Sequence, residues 1–202
     1  MSFRDVVFNY DLIGVTHDKK SAHLKPGCVG EGFAYIGYEN TLADRSFIEA
    51  VFREFECDPY LGFLCAPGPN HADFVTHIGM EWGSNYDCTL ALYRELGLTV
   101  PIDRNHPPVA PFGSSFWCRT EALKPLFRKN WTYEDFPPEP LGLTDGTVMH
   151  AVERIYPYAA QEAGYYSAPL MTTDYAAVEL DNLHYYARDY AHACWNNDIR
   201  GF

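Results

Sequence analysis

The sequence lacks the cysteine and histidine spacings that bind zinc. Its six cysteines include no CxxC pair and no such pair followed by spaced histidines, which argues against a structural zinc site. Its eight histidines form no HExxH motif and no tight cluster, which argues against a zinc hydrolase. We therefore expect the thiols to be small buried side chains rather than metal ligands.

Basic residues are also scarce. The chain has 15 Lys and Arg against 27 Asp and Glu, a formal charge of −12. Neutralising nucleic-acid phosphates needs a surplus of positive side chains, so nonspecific nucleic-acid binding is excluded. The acidity has two interpretations: it keeps the protein soluble, or it forms a cleft for metal ions and polyhydroxyl ligands.

Long apolar runs and targeting signals are missing too. No stretch near twenty apolar residues and no signal peptide is visible, so we expect a cytoplasmic protein with reduced thiols. There is no glycine-rich phosphate loop of the Walker or Rossmann kind. The sequence therefore points away from P-loop nucleotide hydrolases and Rossmann dinucleotide enzymes.

What the sequence does contain is a pattern of alternating strands and helices. Hydrophobic residues make up 47% of the 202 residues, enough for one folded domain over residues 1–202. The pattern predicts an α/β fold with a mixed sheet flanked by helices. Strands are expected at residues 6–16, 61–65 and 112–118. Helices are expected after Asp44, over 86–96, from Asp145 to Pro157, and from about Asn182 onward.

A polar cluster follows the first predicted strand: His17, Asp18, Lys19 and Lys20. In open α/β sheets, ligands bind at the carboxyl ends of strands, so this cluster is a candidate binding site. The alternative is an exposed polar turn without a ligand.

Four segments together resemble the rhamnan synthesis F family. They are YDLIGVTHDKKS (10–21), FGSSFWCRTEALKPLF (112–127), WTYEDFPPEP (131–140) and DGTVMHAVERI (145–155), in that order. This family is similar to glycosyltransferases of the GT-A fold and is associated with rhamnose-rich surface polysaccharides. The resemblance implies a partial GT-A-like mixed sheet flanked by helices. It makes residues 1–165 an acceptor-side half and residues 166–202 an aromatic-rich C-terminal extension.

The resemblance implies an inverting glycosyltransferase or a degenerate relative of one. The donor would be a nucleotide sugar, with dTDP-rhamnose as one candidate, and the acceptor a cell-wall or lipopolysaccharide glycan. A lipid-linked acceptor would allow a peripheral position at the inner face of the membrane. Since the chain starts near the acidic-motif strand, a partner chain is expected to supply the nucleotide-binding half. The alternative function is a noncatalytic carbohydrate-binding or assembly module.

By the same resemblance, residues 17–19 occupy the place of the acidic motif that binds a metal against the donor diphosphate. Asp18 is the carboxylate there that could bind Mg²⁺ or Mn²⁺, which prefer oxygen ligands. Lys19 and Lys20 could instead neutralise the diphosphate directly, which would make transfer independent of metal.

The segment before and within the third predicted strand is expected to line the sugar pocket. Gly113, Ser114 and Ser115 are small and allow close approach of the backbone, while Trp117 offers an apolar face to a sugar ring. The alternative is a core strand with a buried tryptophan.

Inverting transfer needs a carboxylate that takes the proton of the acceptor hydroxyl. The resemblance places Asp145 in this role, at the start of a helix, and Glu134 and Asp135 are the other candidates. Asp145 could also be only a helix N-cap, which stabilises a helix by about 1 kcal/mol and lowers the aspartate pKa. His150 is a further candidate for the pocket lining.

Overall fold

The computed structural model describes residues 4–17, 27–68, 80–138 and 145–197. They form an α/β fold with a four-stranded mixed sheet flanked by helices, which confirms the predicted fold class. The helices are α1 (Arg4–Val7), α2 (Cys28–Leu42), α3 (Arg45–Cys57), α4 (Tyr86–Glu95), α5 (Val148–Glu162) and α6 (Thr173–Asn197). The strands are β1 (Leu12–Val15), β2 (Leu61–Cys65), β3 (Phe116–Arg119) and β4 (Tyr166–Pro169), and 3₁₀ segments span Met80–Trp82, Thr120–Arg128 and Tyr133–Asp135. None of the described helices combines the length and the apolar character needed to cross a membrane.

The strand order is β1-β3-β2-β4, with β3 antiparallel to both β1 and β2 and with β4 parallel to β2. One row of paired residues runs across the sheet through Val15, Phe116, Cys65 and Pro169. At this row β1, β2 and β4 end and β3 begins. We call this side of the sheet the carboxyl edge.

Strand β2 is buried along its whole length, as expected for the short apolar run LGFLC. Phe63 packs with Phe116 of β3, with ring centroids 4.9 Å apart, on the side of the sheet that faces α5. Leu64 packs with Val51 and Phe55 of α3 on the other side. Each buried aromatic or aliphatic side chain of this kind contributes about 1.5–3 kcal/mol, so the centre of the sheet anchors the fold.

Helix α3 forms as its sequence predicts. The Asp44 side chain caps it by accepting a hydrogen bond from the Phe47 N–H at 2.8 Å, and Val51 and Phe55 are buried on one face. The helix ends at Cys57, just before Asp58-Pro59. The N-cap, the helical spacing of the apolar residues and the stop at Asp58-Pro59 all favour a helix here, and the predicted helix after Asp44 is confirmed.

Helices α4 and α5 lie side by side in the same direction. The segments that precede them are joined through Asn85 and Asp145, and Thr99 in the segment after α4 is joined to Glu162 at the end of α5. Between them lies a core that includes Leu92 and other buried side chains: Trp82, Leu96, Ala151, Ile155, Tyr158 and Ala159. This packing fixes the start of α5 against the segment that precedes α4.

Two predictions near the N-terminus were wrong or incomplete. The strand expected over 6–16 is only four residues long, and residues 4–7 are helical. Phe8 packs edge-to-face on Phe127, with centroids 5.1 Å apart, and such packing outweighs the β propensity of the segment. Helix α2 was not predicted, because glycines interrupt its weak apolar pattern.

The C-terminal third also differs from prediction. Helix α5 has Thr147 as its N-cap rather than Asp145, and it continues through Pro157 to Glu162. A proline inside a helix removes one backbone bond, here to the Glu153 carbonyl, and burial of the surrounding face offsets that loss. Helix α6 begins at Thr173 rather than near residue 182, and β4 was not predicted.

Candidate functional site

His17 lies at the carboxyl edge, two residues after Val15 at the end of β1. Its carbonyl accepts a hydrogen bond from the Tyr38 hydroxyl of α2 at 3.2 Å. Asp18, Lys19 and Lys20, and with them the predicted metal ligand, lie outside the described residues.

Gly113 and Ser114 form a tight turn at the same edge, just before β3. Both have left-handed backbones, with φ of 78° and 58°. A Cβ at residue 113 would lie 2.6 Å from a ring carbon of Phe33, so this position requires glycine for both conformation and space. The neighbouring Ser115 is buried. A non-glycine residue held in this conformation stores about 1–3 kcal/mol of strain, so surrounding contacts must hold it.

Glu153 of α5 supplies these contacts. One carboxylate oxygen accepts the Gly113 N–H at 3.2 Å and lies 3.5 Å from the Ser114 hydroxyl. The other oxygen pairs with Arg154 at 3.0 Å. Glu153 therefore ties the turn before β3 to the middle of α5.

Arg154 is a buried cation whose side chain is only 10% exposed. It donates to the His150 carbonyl at 3.3 Å and lies over the Phe112 ring, 5.0 Å from its centroid. Its Nε is buried and has no hydrogen-bond partner. A buried charge of this kind needs compensation from nearby carboxylates, and Glu153 and Asp145 provide it.

Asp145 is anchored through both of its carboxylate oxygens. Its Oδ2 accepts the Ser84 N–H at 2.8 Å, and its Oδ1 accepts from the Asn85 side-chain amide. Burial by itself would raise the pKa of Asp145. The hydrogen bonds from Ser84, Asn85 and Gly146 and the charge of Arg154 outweigh burial and hold this pKa below its ordinary value. Asp145 is thus ionised at neutral pH, and each oxygen keeps a lone pair for a further donor.

The residues that position Asp145 come from the turn before α4, and the sequence analysis missed them. Asn85 is fully buried; it donates to the Trp82 carbonyl at 3.0 Å and accepts the Gly146 N–H at 2.8 Å. Gly83 has φ of 51°, and a Cβ there would lie 2.6 Å from the Asp145 carboxylate. The turn-forming tripeptide Gly83-Ser84-Asn85 before a helix was the local signal available.

His150 lies in the first turn of α5. Its Nδ1 is 2.8 Å from the Thr147 hydroxyl at the helix N-cap. Since its carbonyl also accepts from Arg154, His150 belongs to the same local network as Asp145.

Glu134 and Asp135 do not join this network. Asp135 accepts the Thr132 N–H at 2.7 Å and pairs with Lys129 at 2.7 Å. The Lys129 ammonium, together with the Thr132 hydrogen bonds, lowers the pKa of Asp135. Lys129, the partner of Asp135, also binds Glu95 at the end of α4. Asn85, the partner of Asp145, lies just before the start of α4. The length of α4, about 15 Å, therefore separates Glu95 from Asn85.

The Trp117 side chain packs inside the fold. Its indole N–H donates to the Thr41 carbonyl at 2.8 Å, and its ring meets Phe52 edge-to-face with centroids 5.4 Å apart. The cross-strand neighbour Gly14 leaves room for it, since a Cβ there would come within 2.9 Å of the ring. The ring therefore lies in the layer between the sheet and helices α2 and α3.

The described residues contain no group of three or more His, Cys, Asp or Glu that could hold a metal ion. A cavity of about 790 Å³ lies between α3 and β4. Its described lining includes none of the predicted site residues.

Comparison with known proteins agrees with the resemblance seen in the sequence. The family model of rhamnan synthesis protein F matches residues 1–165. Two proteins of Xanthomonas campestris pv. campestris, from strains B100 and ATCC 33913, are 31% identical over 157 residues, 78% of this chain. Both are named uncharacterized protein WxcX, and the chain spans about a fifth (21%) of their length. No solved structure matches the chain. The chain therefore belongs to the rhamnan synthesis protein F family, which associates it with polysaccharide biosynthesis.

Proposed function

We propose that the chain is the acceptor-side part of an inverting glycosyltransferase that moves a sugar from a nucleotide donor to a surface polysaccharide. The observation that carries the proposal is the ionised Asp145 carboxylate, fixed by Ser84 and Asn85 and stabilised by the charge of the buried Arg154. Glu153 links this group to the turn at the carboxyl edge. Family membership supplies the polysaccharide context.

In the proposed reaction, the acceptor hydroxyl donates a hydrogen bond to Asp145. Its oxygen attacks the anomeric carbon of the donor, the bond from that carbon to the diphosphate breaks, and the diphosphate leaves with the electron pair. Asp145 takes the hydroxyl proton. A carboxylate with a low pKa is a weak base, so it takes the proton late, after the bond to carbon has made the hydroxyl acidic.

The diphosphate is proposed to bind at the carboxyl edge near His17, with Lys19 and Lys20 compensating its charge. A Mg²⁺ or Mn²⁺ ion on Asp18 is the alternative, since hard cations prefer carboxylate oxygen. The proposal includes dTDP-rhamnose as a candidate donor. It also includes a nucleotide-binding half supplied by a partner chain or by a further part of a longer protein.

A second function is favoured by a different observation. Tyr133 is 87% exposed beside Glu134, and an exposed aromatic ring next to polar side chains can bind a sugar face. The low pKa of Asp145 and its hydrogen bonds from Ser84 and Asn85 also suit a purely structural carboxylate. A noncatalytic carbohydrate-binding or assembly module is therefore the rival proposal.

Transfer and binding assays on the full chain separate the two functions. The chain is incubated with a panel of nucleotide sugars and an oligosaccharide acceptor, with and without Mn²⁺, while calorimetry measures donor binding. We expect Asp145→Asn to lower turnover by about 10²–10⁴-fold, the usual contribution of a general base. Asp11→Asn, an exposed carboxylate just before β1 at the opposite end of the strand, is the matched control. Glycan binding by wild type, without donor binding or turnover even when the nucleotide-binding half is supplied, would support the module and reject the enzyme.

A further inference from the structure

A second cavity, of about 480 Å³, lies between the C-terminal half of α5, strand β4 and the segment 101–109. Small-ligand sites have volumes of about 300–1,000 Å³. The described lining includes no residue of the Asp145 network, and Tyr158, which lines the cavity, lies about 15 Å along α5 from Val148 in the first turn. We call it the proline cavity, because four prolines line it: Pro101, Pro107, Pro108 and Pro157.

The walls of the proline cavity are held in place. Each proline ring fixes its own backbone φ. In the segment 101–109, the Asp103 carboxylate accepts the Asn105 N–H at 2.9 Å and lies 2.6 Å from the His106 Nδ1. Arg104 ties this turn to α4 by pairing with Asp87 at 2.6 Å. The cavity is therefore preformed, which lowers the entropic cost of binding a ligand.

Two hydroxyl groups on the wall of the cavity have no hydrogen-bond partner among the described residues. The Ser167 Oγ is buried and unpaired. Tyr158 is only 5% exposed; its ring stacks on Trp82 in the core with centroids 6.2 Å apart, and its hydroxyl is likewise unpaired. A buried polar group without a partner destabilises a fold unless water or a ligand satisfies it. Both hydroxyls are thus available to a ligand in the cavity.

The charge of the lining selects against anions. Asp103 is a carboxylate of the lining, and the described lining residues include no Lys or Arg. The hydrogen bonds from the Asn105 N–H and the His106 side chain lower the pKa of Asp103, so it is ionised at neutral pH. A diphosphate would be repelled here, whereas a neutral hydroxyl can donate to the carboxylate. The Gln161 amide, also in the lining, is both a donor and an acceptor.

We propose that the proline cavity binds a neutral sugar unit of a polysaccharide. The two unpaired hydroxyls and the Asp103 carboxylate bind its hydroxyl groups, and the proline rings cover its C–H faces. Such a combination of apolar walls and a few convergent polar groups is typical of small-ligand sites. Membership of a family associated with polysaccharide biosynthesis favours a glycan over a peptide. The inference rests on that polysaccharide context and not on sugar transfer at Asp145.

Calorimetry with the full chain and a rhamnan oligosaccharide tests the proposal. The double variant Tyr158→Phe/Ser167→Ala removes only the two hydroxyl groups, and we expect it to weaken binding by about 10–100-fold, the effect of two lost hydrogen bonds. It should be at least as stable as wild type in urea, because neither hydroxyl has a partner in the fold. Tyr60→Phe, 69% exposed and outside the lining, is the matched control and should bind as wild type does. Val109→Trp, at a lining residue that is 44% exposed, should fill the cavity and abolish binding.

Asp145→Asn separates this inference from the proposed transfer. It should bind the oligosaccharide as tightly as wild type, and that result together with loss of binding in the cavity variants supports the inference whether or not the chain transfers sugar. Loss of binding in Asp145→Asn alone would place the glycan at the candidate base and overturn the inference. Failure of wild type to bind the oligosaccharide, its displacement by inorganic diphosphate, or binding of a proline-rich peptide in its place also overturns it.

Discussion

The carboxylate of Glu153 accepts a hydrogen bond from the backbone N–H of Gly113 at 3.2 Å, across 40 residues of sequence. This bond joins the middle of α5 to the turn that starts β3. The charge of the neighbouring Arg154 also helps to keep Asp145 ionised, so displacement of the turn should change the electrostatic environment of the candidate base.

The first prediction concerns the turn itself. Gly113→Ala should lower the free energy of unfolding by about 1–3 kcal/mol, because alanine is strained at positive φ and its Cβ would clash with Phe33. Gly97→Ala is the control, since Gly97 also has positive φ but open space around it. Urea unfolding should show the larger loss for Gly113→Ala. Equal losses would mean that the Phe33 contact has no energetic weight.

The second prediction separates the two roles of Glu153. Glu153→Ala should lower the free energy of unfolding by about 3 kcal/mol, because it removes both the acceptor for Gly113 and the partner of the buried Arg154. Glu153→Gln keeps an oxygen acceptor, so it should lower the free energy of unfolding clearly less. Thermal and urea unfolding of both variants give the comparison. If the glutamine variant is as unstable as the alanine variant, the charge rather than the hydrogen bond holds the turn.

The third prediction is a pH dependence. The folded-state pKa of Asp145 is below its ordinary value of 3.8, so ionised Asp145 stabilises the fold at pH values above that ordinary value. The stabilisation is lost as pH falls through the folded-state pKa. Asp145→Asn should therefore lose about 1–3 kcal/mol of unfolding free energy at pH 7, and its difference from wild type should shrink below pH 4.

Urea unfolding between pH 7 and pH 3 measures this difference. Asp11→Asn, an exposed Asp-to-Asn change, should remain within about 0.5 kcal/mol of wild type at pH 7. A gap between wild type and Asp145→Asn that widens toward acid would contradict the low pKa of Asp145.

The sequence predicted those helices and strands for which the local signals, namely caps, apolar spacing and stop residues, all indicated the same element. Asp44, the apolar spacing after it and the stop at Asp58 defined α3, and the run LGFLC defined β2. Helix α2 was missed because its residues are weakly amphipathic. Pro157 was read as a stop because sequence alone does not show the packing that keeps α5 continuous through it.

Motifs in the sequence singled out candidate site residues, but not the residues that hold them in place. Asp145 and the turn at Gly113 were identified from motifs, but Asn85 and Glu153 were not. Their roles depend on contacts across 60 and 40 residues of sequence, and local periodicity carries no information about such contacts. Asp145 was also expected to cap α5, whereas Thr147 holds that position and Asp145 turns back toward α4.

The last prediction concerns thiol reactivity. Cys65 and Cys118 are buried in the sheet, and burial raises the pKa of Cys65 to about 12 and raises that of Cys118 as well. Because the thiolate is the reactive form, both should resist iodoacetamide at pH 8, whereas the exposed Cys57 at the end of α3 should react within minutes. Peptide mass spectrometry identifies the labelled residues, and labelling in urea is the control, in which both buried thiols should react. Labelling of Cys118 at the rate of Cys57 in the folded chain would mean that β3 opens readily, and the turn at Gly113 that precedes it could not then be a rigid support for the site.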